Sequence, residues 1–149
     1  MAWSFALNAE CGGRETHARD LARHFEGFPS RVFSDGGGGW WCGVAPEDLG
    51  EKRIESAEDA TATTAAGRRL YWLLRTAPPV YRYALAGVET GAAFRKYDEL
   101  MAEKDLTRFP GLVVSEDIWT ATGKRAAFSD FAPGYRWIPY HGEAYGPRR

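Results

Sequence analysis

Arg31-Val-Phe-Ser-Asp-Gly-Gly-Gly-Gly-Trp-Trp-Cys-Gly-Val44 is the stretch on which the fold turns. Its two ends are short and rich in β-branched and aromatic residues, the composition of strands. Between them Asp35-Gly-Gly-Gly-Gly39 reads as a mobile hairpin loop. Strand, loop and strand in so few residues predict an antiparallel hairpin over 31–34 and 40–44. Parallel strands need long crossovers instead, so a hairpin argues against a doubly wound α/β fold and for α+β.

The flanking segments fit that frame. Towards the N-terminus, Trp3, Phe5 and Leu7 alternate with Ala2, Ser4, Ala6 and Asn8, the period of a half-buried strand over 2–8. Cys11-Gly-Gly13 is a turn. Ala18, Leu21, Ala22 and Phe25 then fall at helical spacing, predicting a helix over 14–26 stopped by Gly27. Ala45 to Gly50 is a further turn.

A long helix is expected from Ser56 to Arg75, opened by a Ser56/Asp59 capping box and ended by Pro78-Pro79. Ala62, Ala66, Leu70, Leu73 and Leu74 form its apolar stripe. Residues 80–88 read as a central strand with Tyr81, Tyr83 and Leu85 on one face. Phe94, Tyr97 and Met101 suggest a short helix, with a strand through 94–100 as the alternative. Phe109-Pro-Gly111 is a turn and 112–114 a buried strand. Ser115 caps a helix that begins Glu116-Asp117 and is closed by Gly123.

Residues 128–133 read as loop, and 135–140 as a last strand that Pro139 confines to a sheet edge or shortens. Tyr135 and Tyr140 are at opposite parity in it, so one packs down and the other faces out. Residues 146–149 read as a frayed tail. The expectation is a single α+β domain over 1–149. It comprises a mostly antiparallel, twisted sheet of about five to seven short strands with about two to four helices packed on it.

Composition limits the function classes. The 149 residues are 44% hydrophobic and 26% charged, ordinary for a globular chain that needs no metal or disulfide to fold. Aromatics reach 14%, with six tryptophans, which serve cores and interfaces alike. Net charge is −1, and residues 1–50, 51–100 and 101–149 carry −3, +1 and +1. No segment has the basic footprint of a direct nucleic-acid binder. The opening residues lack a secretory pattern and no apolar run reaches membrane-spanning length. A cytoplasmic protein with reduced, half-buried Cys11 and Cys42 is expected.

Reaction motifs are missing. The glycines at 36–39 are followed by aromatics, where a phosphate loop needs a lysine and a helix. Gly123-Lys124 has Ile118 five residues before Gly123, where that loop needs glycine. His17 and His24 share a helix face but stand seven residues apart, about 10 Å along the axis, too far for one metal. Cys11 and Cys42 are not in a C-x-x-C spacing, and there is no G-x-S-x-G elbow. Of the adjacent pairs Glu47-Asp48, Glu58-Asp59, Asp98-Glu99 and Glu116-Asp117, Glu58-Asp59 and Glu116-Asp117 read as caps and solvated charge. Together the four pairs offer a negative patch to a basic partner.

Trp3, Phe5, Trp72, Tyr81, Tyr83 and Phe94 sit in periodic contexts and are expected in the core. Neighbouring Trp40 and Trp41 point to opposite faces of their strand, so one of them is free to face outward. Trp137 raises the same question: buried it is scaffold, and exposed beside Trp40 or Trp41 it marks an interface.

Trp40-Trp-Cys-Gly-Val44, Ala84-Leu-Ala-Gly-Val-Glu-Thr-Gly91 and Pro133-Gly-Tyr-Arg-Trp-Ile-Pro-Tyr140 stand in a small, near-neutral, aromatic-rich chain without a reaction motif. In this the chain resembles the immunity proteins of bacterial polymorphic-toxin and contact-dependent-competition systems, as a class rather than one family. The resemblance implies a protein that binds and neutralises a cognate toxin, a nuclease or another effector enzyme, by occluding its active site. No cofactor, metal or catalytic residue is implied.

Candidate contacts are Asp35, Trp40, Trp41, Glu116, Asp117 and Trp137, aromatic anchors inside an acidic rim. Two alternatives remain open. One is a small enzyme whose site the fold assembles from His17, His24, His141, Cys42 or the tyrosines. The other is a ligand-binding or oligomeric accessory domain.

Overall fold

The computed structural model describes residues 5–46, 56–87 and 96–143. Expectations resting on Trp3, Glu47-Asp48, Phe94 and the 146–149 tail lie outside these residues. In chain order the elements are β1 (Ala6–Glu10), α1 (Glu15–His24), β2 (Ser30–Ser34), β3 (Trp40–Val44) and α2 (Ala57–Leu74). There follow β4 (Tyr83–Gly87), α3 (Tyr97–Ala102), a 3-10 turn (Leu106–Arg108), β5 (Val113–Ser115), α4 (Glu116–Ala121), β6 (Ser129–Ala132) and β7 (Tyr135–Trp137).

The seven strands form one antiparallel open sheet in the order β2-β3-β1-β4-β5-β7-β6. The fold is α+β. The β2–β3 hairpin pairs Ser30 with Val44 through to Ser34 with Trp40. Local chemistry sets the helix starts: Ser56 Oγ accepts from the Asp59 amide at 3.0 Å, and Ser115 Oγ from that of Ile118 at 3.3 Å.

Both faces of the sheet are covered. On one face α1 and α2 pack Ala18, Leu21, Phe25, Leu70, Tyr71 and Leu74 against Leu7, Ala9, Cys42, Val44 and Ala84. On the other, α3, the 3-10 turn and α4 bring Leu100, Leu106 and Ile118 onto Trp41, Tyr83, Leu85 and Val114. The first strand is therefore buried along its whole length rather than on one side. Its polar positions Asn8 and Glu10 lie inside.

Several expectations are corrected. Residues 128–133 are not loop: β6 runs through them and is the true sheet edge, leaving β7 one strand inside. Its pattern was hidden because only Phe131 is buried while Ser129 and Asp130 face water, and a register shift falls between Asp130 and Ala132. Pro139 acts by shortening β7, whose ladder is extended only by Ile138, bonded to Leu112 and Gly111. Tyr135 and Tyr140 do not divide between the faces. Both are buried in the core under α1 and α2, because the chain leaves strand geometry before Tyr140.

Tyr81 precedes β4 at a bend and stacks on Tyr135 at 4.2 Å, on the face opposite to Tyr83 and Leu85. On α2 the buried stripe is Ala60, Thr63, Ala66, Gly67, Leu70, Tyr71 and Leu74, and Ala62 is exposed. Trp72 is not core. It is 65% exposed, because it lies about 200° around the helix from Leu70.

Candidate functional site

The hairpin tip, the end of β1, Arg82 and the start of α3 meet at one end of the sheet. Asp35 organises the tip. Its Oδ1 accepts from the amides of Gly37 at 2.7 Å and Gly39 at 3.1 Å, and its Oδ2 from the Trp41 indole N–H at 2.9 Å. Gly36 and Gly38 have φ of +81° and +92°, a region that side chains avoid, which is why glycines occupy this tight path. The loop is thus tied at two amides rather than left loose.

Burial tends to raise the Asp35 carboxyl. The bonds from Trp41, Gly37 and Gly39, with Lys96 nearby, outweigh it and hold the group below its ordinary value.

Glu10 closes the other side. It is fully buried. Arg82 grips it with two donors, Nε to Oε1 at 2.8 Å and Nη2 to Oε2 at 2.5 Å, while the Gly12 amide gives Oε1 a further bond at 2.9 Å. The guanidinium lies over the Tyr97 ring at 4.0 Å, and its bond to Glu10 raises it above its ordinary value.

In register, Glu10 is flanked by Trp41 on β3 and Tyr83 on β4. Their rings meet edge to face, 5.5 Å between centroids, and Phe33 stacks on the far side of Trp41 at 6.2 Å. Burial pushes the Tyr83 hydroxyl up, and the Glu10 charge adds to this. A Cβ on Gly39 would stand 2.6 Å from Asp35 Oδ2 and 2.7 Å from Glu10 Oε2. The two carboxylates therefore border one small space that only glycine leaves open.

The sequence-selected residues fall into two groups. Asp35, Trp40 and Trp41 belong to the hairpin. Trp41 is buried at 1% exposure, which removes it from the surface, and Trp40 is half-buried against the α1 and α2 core. Glu116 and Asp117 are exposed on the first turn of α4, Glu116 lying 3.8 Å from Arg136. Trp137 is half-buried, with Tyr71 at 5.3 Å, Phe131 at 4.9 Å and Arg75 at 5.0 Å. Strands β3 and β7 are second and sixth in the sheet, so Trp137 stands about 19 Å from the hairpin tryptophans and not beside them.

Of the groups considered for an assembled enzyme site, the tyrosines Tyr81 and Tyr135 stack at 4.2 Å and Tyr71 and Tyr140 meet at 5.0 Å, all four inside the core. His17 is half-buried on α1. His24 Nε2 lies 2.8 Å from the Leu73 carbonyl, joining α1 to α2, and His141 is exposed. Cys42 and Cys11 are buried and free on the α1 and α2 side, where burial lifts the Cys42 thiol to about 12. Among the described residues no three His, Cys, Asp or Glu side chains are grouped to hold a metal, and no helix is long and apolar enough to cross a membrane.

Glu10, Arg82 and Tyr97 went unselected because their union is tertiary: Glu10 and Arg82 are separated by 72 residues. Alternation pointed the other way: Glu10 shares the parity of Asn8, the side of the strand that reads as facing solvent. Comparison with family models, curated proteins and solved structures finds no match for the chain.

Proposed function

We propose that this protein is an immunity-type binding protein, which engages a cognate toxin, a nuclease or another effector enzyme, and neutralises it by occluding its active site. The observation that most supports this reading is the state of the charged groups at the hairpin end. The carboxylate oxygens of Glu10 and Asp35 are all engaged by N–H donors. Groups held in this way are poorly placed to exchange protons with a substrate, but they make a rigid platform that loses little freedom on docking.

Exposed acids also stand on the helices that cover the Trp41 and Tyr83 face of the sheet. Asp98 and Glu99 stand on α3, and Glu116 and Asp117 on α4. A negative rim of this kind complements the basic cleft of a nuclease and speeds encounter with it.

The test is co-expression. Cells producing the protein encoded by the adjacent gene should die without this protein and survive with it, and the two products should co-purify. Normal growth in its absence, or failure to co-purify, would sink the proposal.

A further inference from the structure

The two edges of the sheet are built differently. Strand β6 is blunted: its pairing with β7 shifts register between Asp130 and Ala132, and Ser129 and Asp130 stand exposed along it. Strand β2 has no such break. Its five residues pair with β3 in one continuous register, from Ser30 with Val44 to Ser34 with Trp40. Its one charged side chain, Arg31, lies over the Phe33 ring at 5.0 Å, on the Trp41 face of the sheet.

The phase of the ladder tells which backbone groups β2 turns outward. The Ala45 amide donates to the Pro29 carbonyl at 2.9 Å, and the Asp35 amide to the Gly39 carbonyl at 3.0 Å. Hydrogen-bonded pairs alternate along an antiparallel ladder, so Arg31 and Phe33 also bond inward to β3. Ser30, Val32 and Ser34 therefore aim their N–H and C=O groups away from it, where no strand stands among the described residues. Pro29 does not protect this edge, because the N–H it lacks would have faced β3.

We propose that β2 is the docking edge for β2 of a second copy of this chain, the two strands joined antiparallel about a two-fold axis at Val32. Exposed backbone groups call for a strand as occupant. The order Ser30-Arg-Val-Phe-Ser34 makes that strand a second copy, since it reads the same polar-apolar-polar way from either end. Val32 meets Val32 of the second copy, and Ser30 meets Ser34, so every outward N–H and C=O of the three residues gains a partner. Such a contact is isologous and closes at two chains.

The side chains agree with this register. Ser34 Oγ accepts from the Gly36 amide at 3.1 Å and so keeps its own proton to give to Ser30 of the second copy. Arg31 stands opposite Phe33, so no like charges face each other directly. A five-residue edge covers less than the roughly 800 Å² per partner of long-lived complexes, which makes the dimer a concentration-dependent one. Strand addition in the plane of the sheet leaves the α3 and α4 side open, so the pairing stands independently of the toxin-binding proposal.

Sedimentation velocity from about 10 μM to about 1 mM tests it. The mass should rise from one chain towards two. Val32→Pro should remain a single chain throughout, because it removes an outward donor that β3 does not use. Val32→Ala keeps that donor and should dimerise like the wild type. Amide exchange gives a second readout that needs no variant. The Val32 and Ser34 amides should exchange at least about tenfold more slowly at the high concentration, while those of Arg31 and Phe33 stay protected throughout.

A wild type that remains one chain at the highest concentration would overturn the proposal, as would a folded Val32→Pro that still dimerises. Should Val32→Pro not fold, the exchange pattern decides: Val32 and Ser34 amides indifferent to concentration would refute the pairing.

Discussion

Replacing Arg82 by methionine tests the charged cluster most sharply. Glu10 is fully buried and Arg82 supplies two of its three hydrogen bonds. Removing the cation leaves a carboxylate inside the protein without a counter-charge, a change that costs about 3–5 kcal/mol at fully buried pairs. The Arg82 side chain is 39% exposed, so water already screens part of the interaction, and the lower end, about 3 kcal/mol, applies.

The assay is urea unfolding at neutral pH. With a slope of about 1–3 kcal/mol/M, the midpoint should fall by roughly 1–3 M. Glu10→Gln combined with Arg82→Met should recover much of the loss, because the double variant leaves no buried charge. The coupling between the sites should be about 1–3 kcal/mol. High salt should barely affect the wild-type pair, whose acceptor is shielded from ions. An Arg82→Met variant within about 1 kcal/mol of wild type, or a double variant no better than the single, would refute the reasoning.

Tyr71 bridges α2 to the sheet by accepting from the Ala86 amide at 2.9 Å and donating to the Gly111 carbonyl at 2.8 Å. Tyr71→Phe orphans both buried groups and should cost about 2–4 kcal/mol in thermal or urea unfolding. Tyr135→Phe, which loses one bond to the Tyr81 carbonyl, should cost about half as much. Asp35→Asn should lower stability by about 1 kcal/mol at neutral pH, since an amide cannot accept from both loop amides and the indole at once. The folded carboxyl lies below its ordinary value, so its contribution is present above that value and lost as pH falls through the lowered one. The gap between wild type and Asp35→Asn should therefore close in acid. Burial raises both thiols, so a thiol reagent should label neither Cys11 nor Cys42 quickly in the folded protein and both after denaturation.

What could be seen in the sequence was what neighbouring residues decide. The hairpin follows from two strand-forming runs around glycines, and the helix starts follow from Ser56 and Ser115, whose hydroxyls cap amides three residues on. Contacts between distant segments were not visible. Alternation made Asn8 a solvent-facing position, yet the second layer of α3 and α4 covers that face. Edge strand β6 contributes one buried residue, Phe131, too few to show a period. Along α2, counting apolar residues placed Trp72 inside, whereas the helix buries Gly67 and Tyr71 and leaves the indole in water. At the candidate site Asp35 and Trp41 could be picked out, but their roles could not. They brace the hairpin together, and the Glu10–Arg82 pair beside them exists only once β1 and β4 are neighbours.

Titration calorimetry of this protein against the purified product of the adjacent gene tests the binding proposal most directly. Wild type should bind tightly in a single-site isotherm. Charge reversal at Asp98, Glu99, Glu116 and Asp117, exposed positions whose replacement leaves the core intact, should weaken binding at least about tenfold, mainly through slower association. Absence of binding heat at several temperatures, or equal affinity of the reversed variant, would contradict the account.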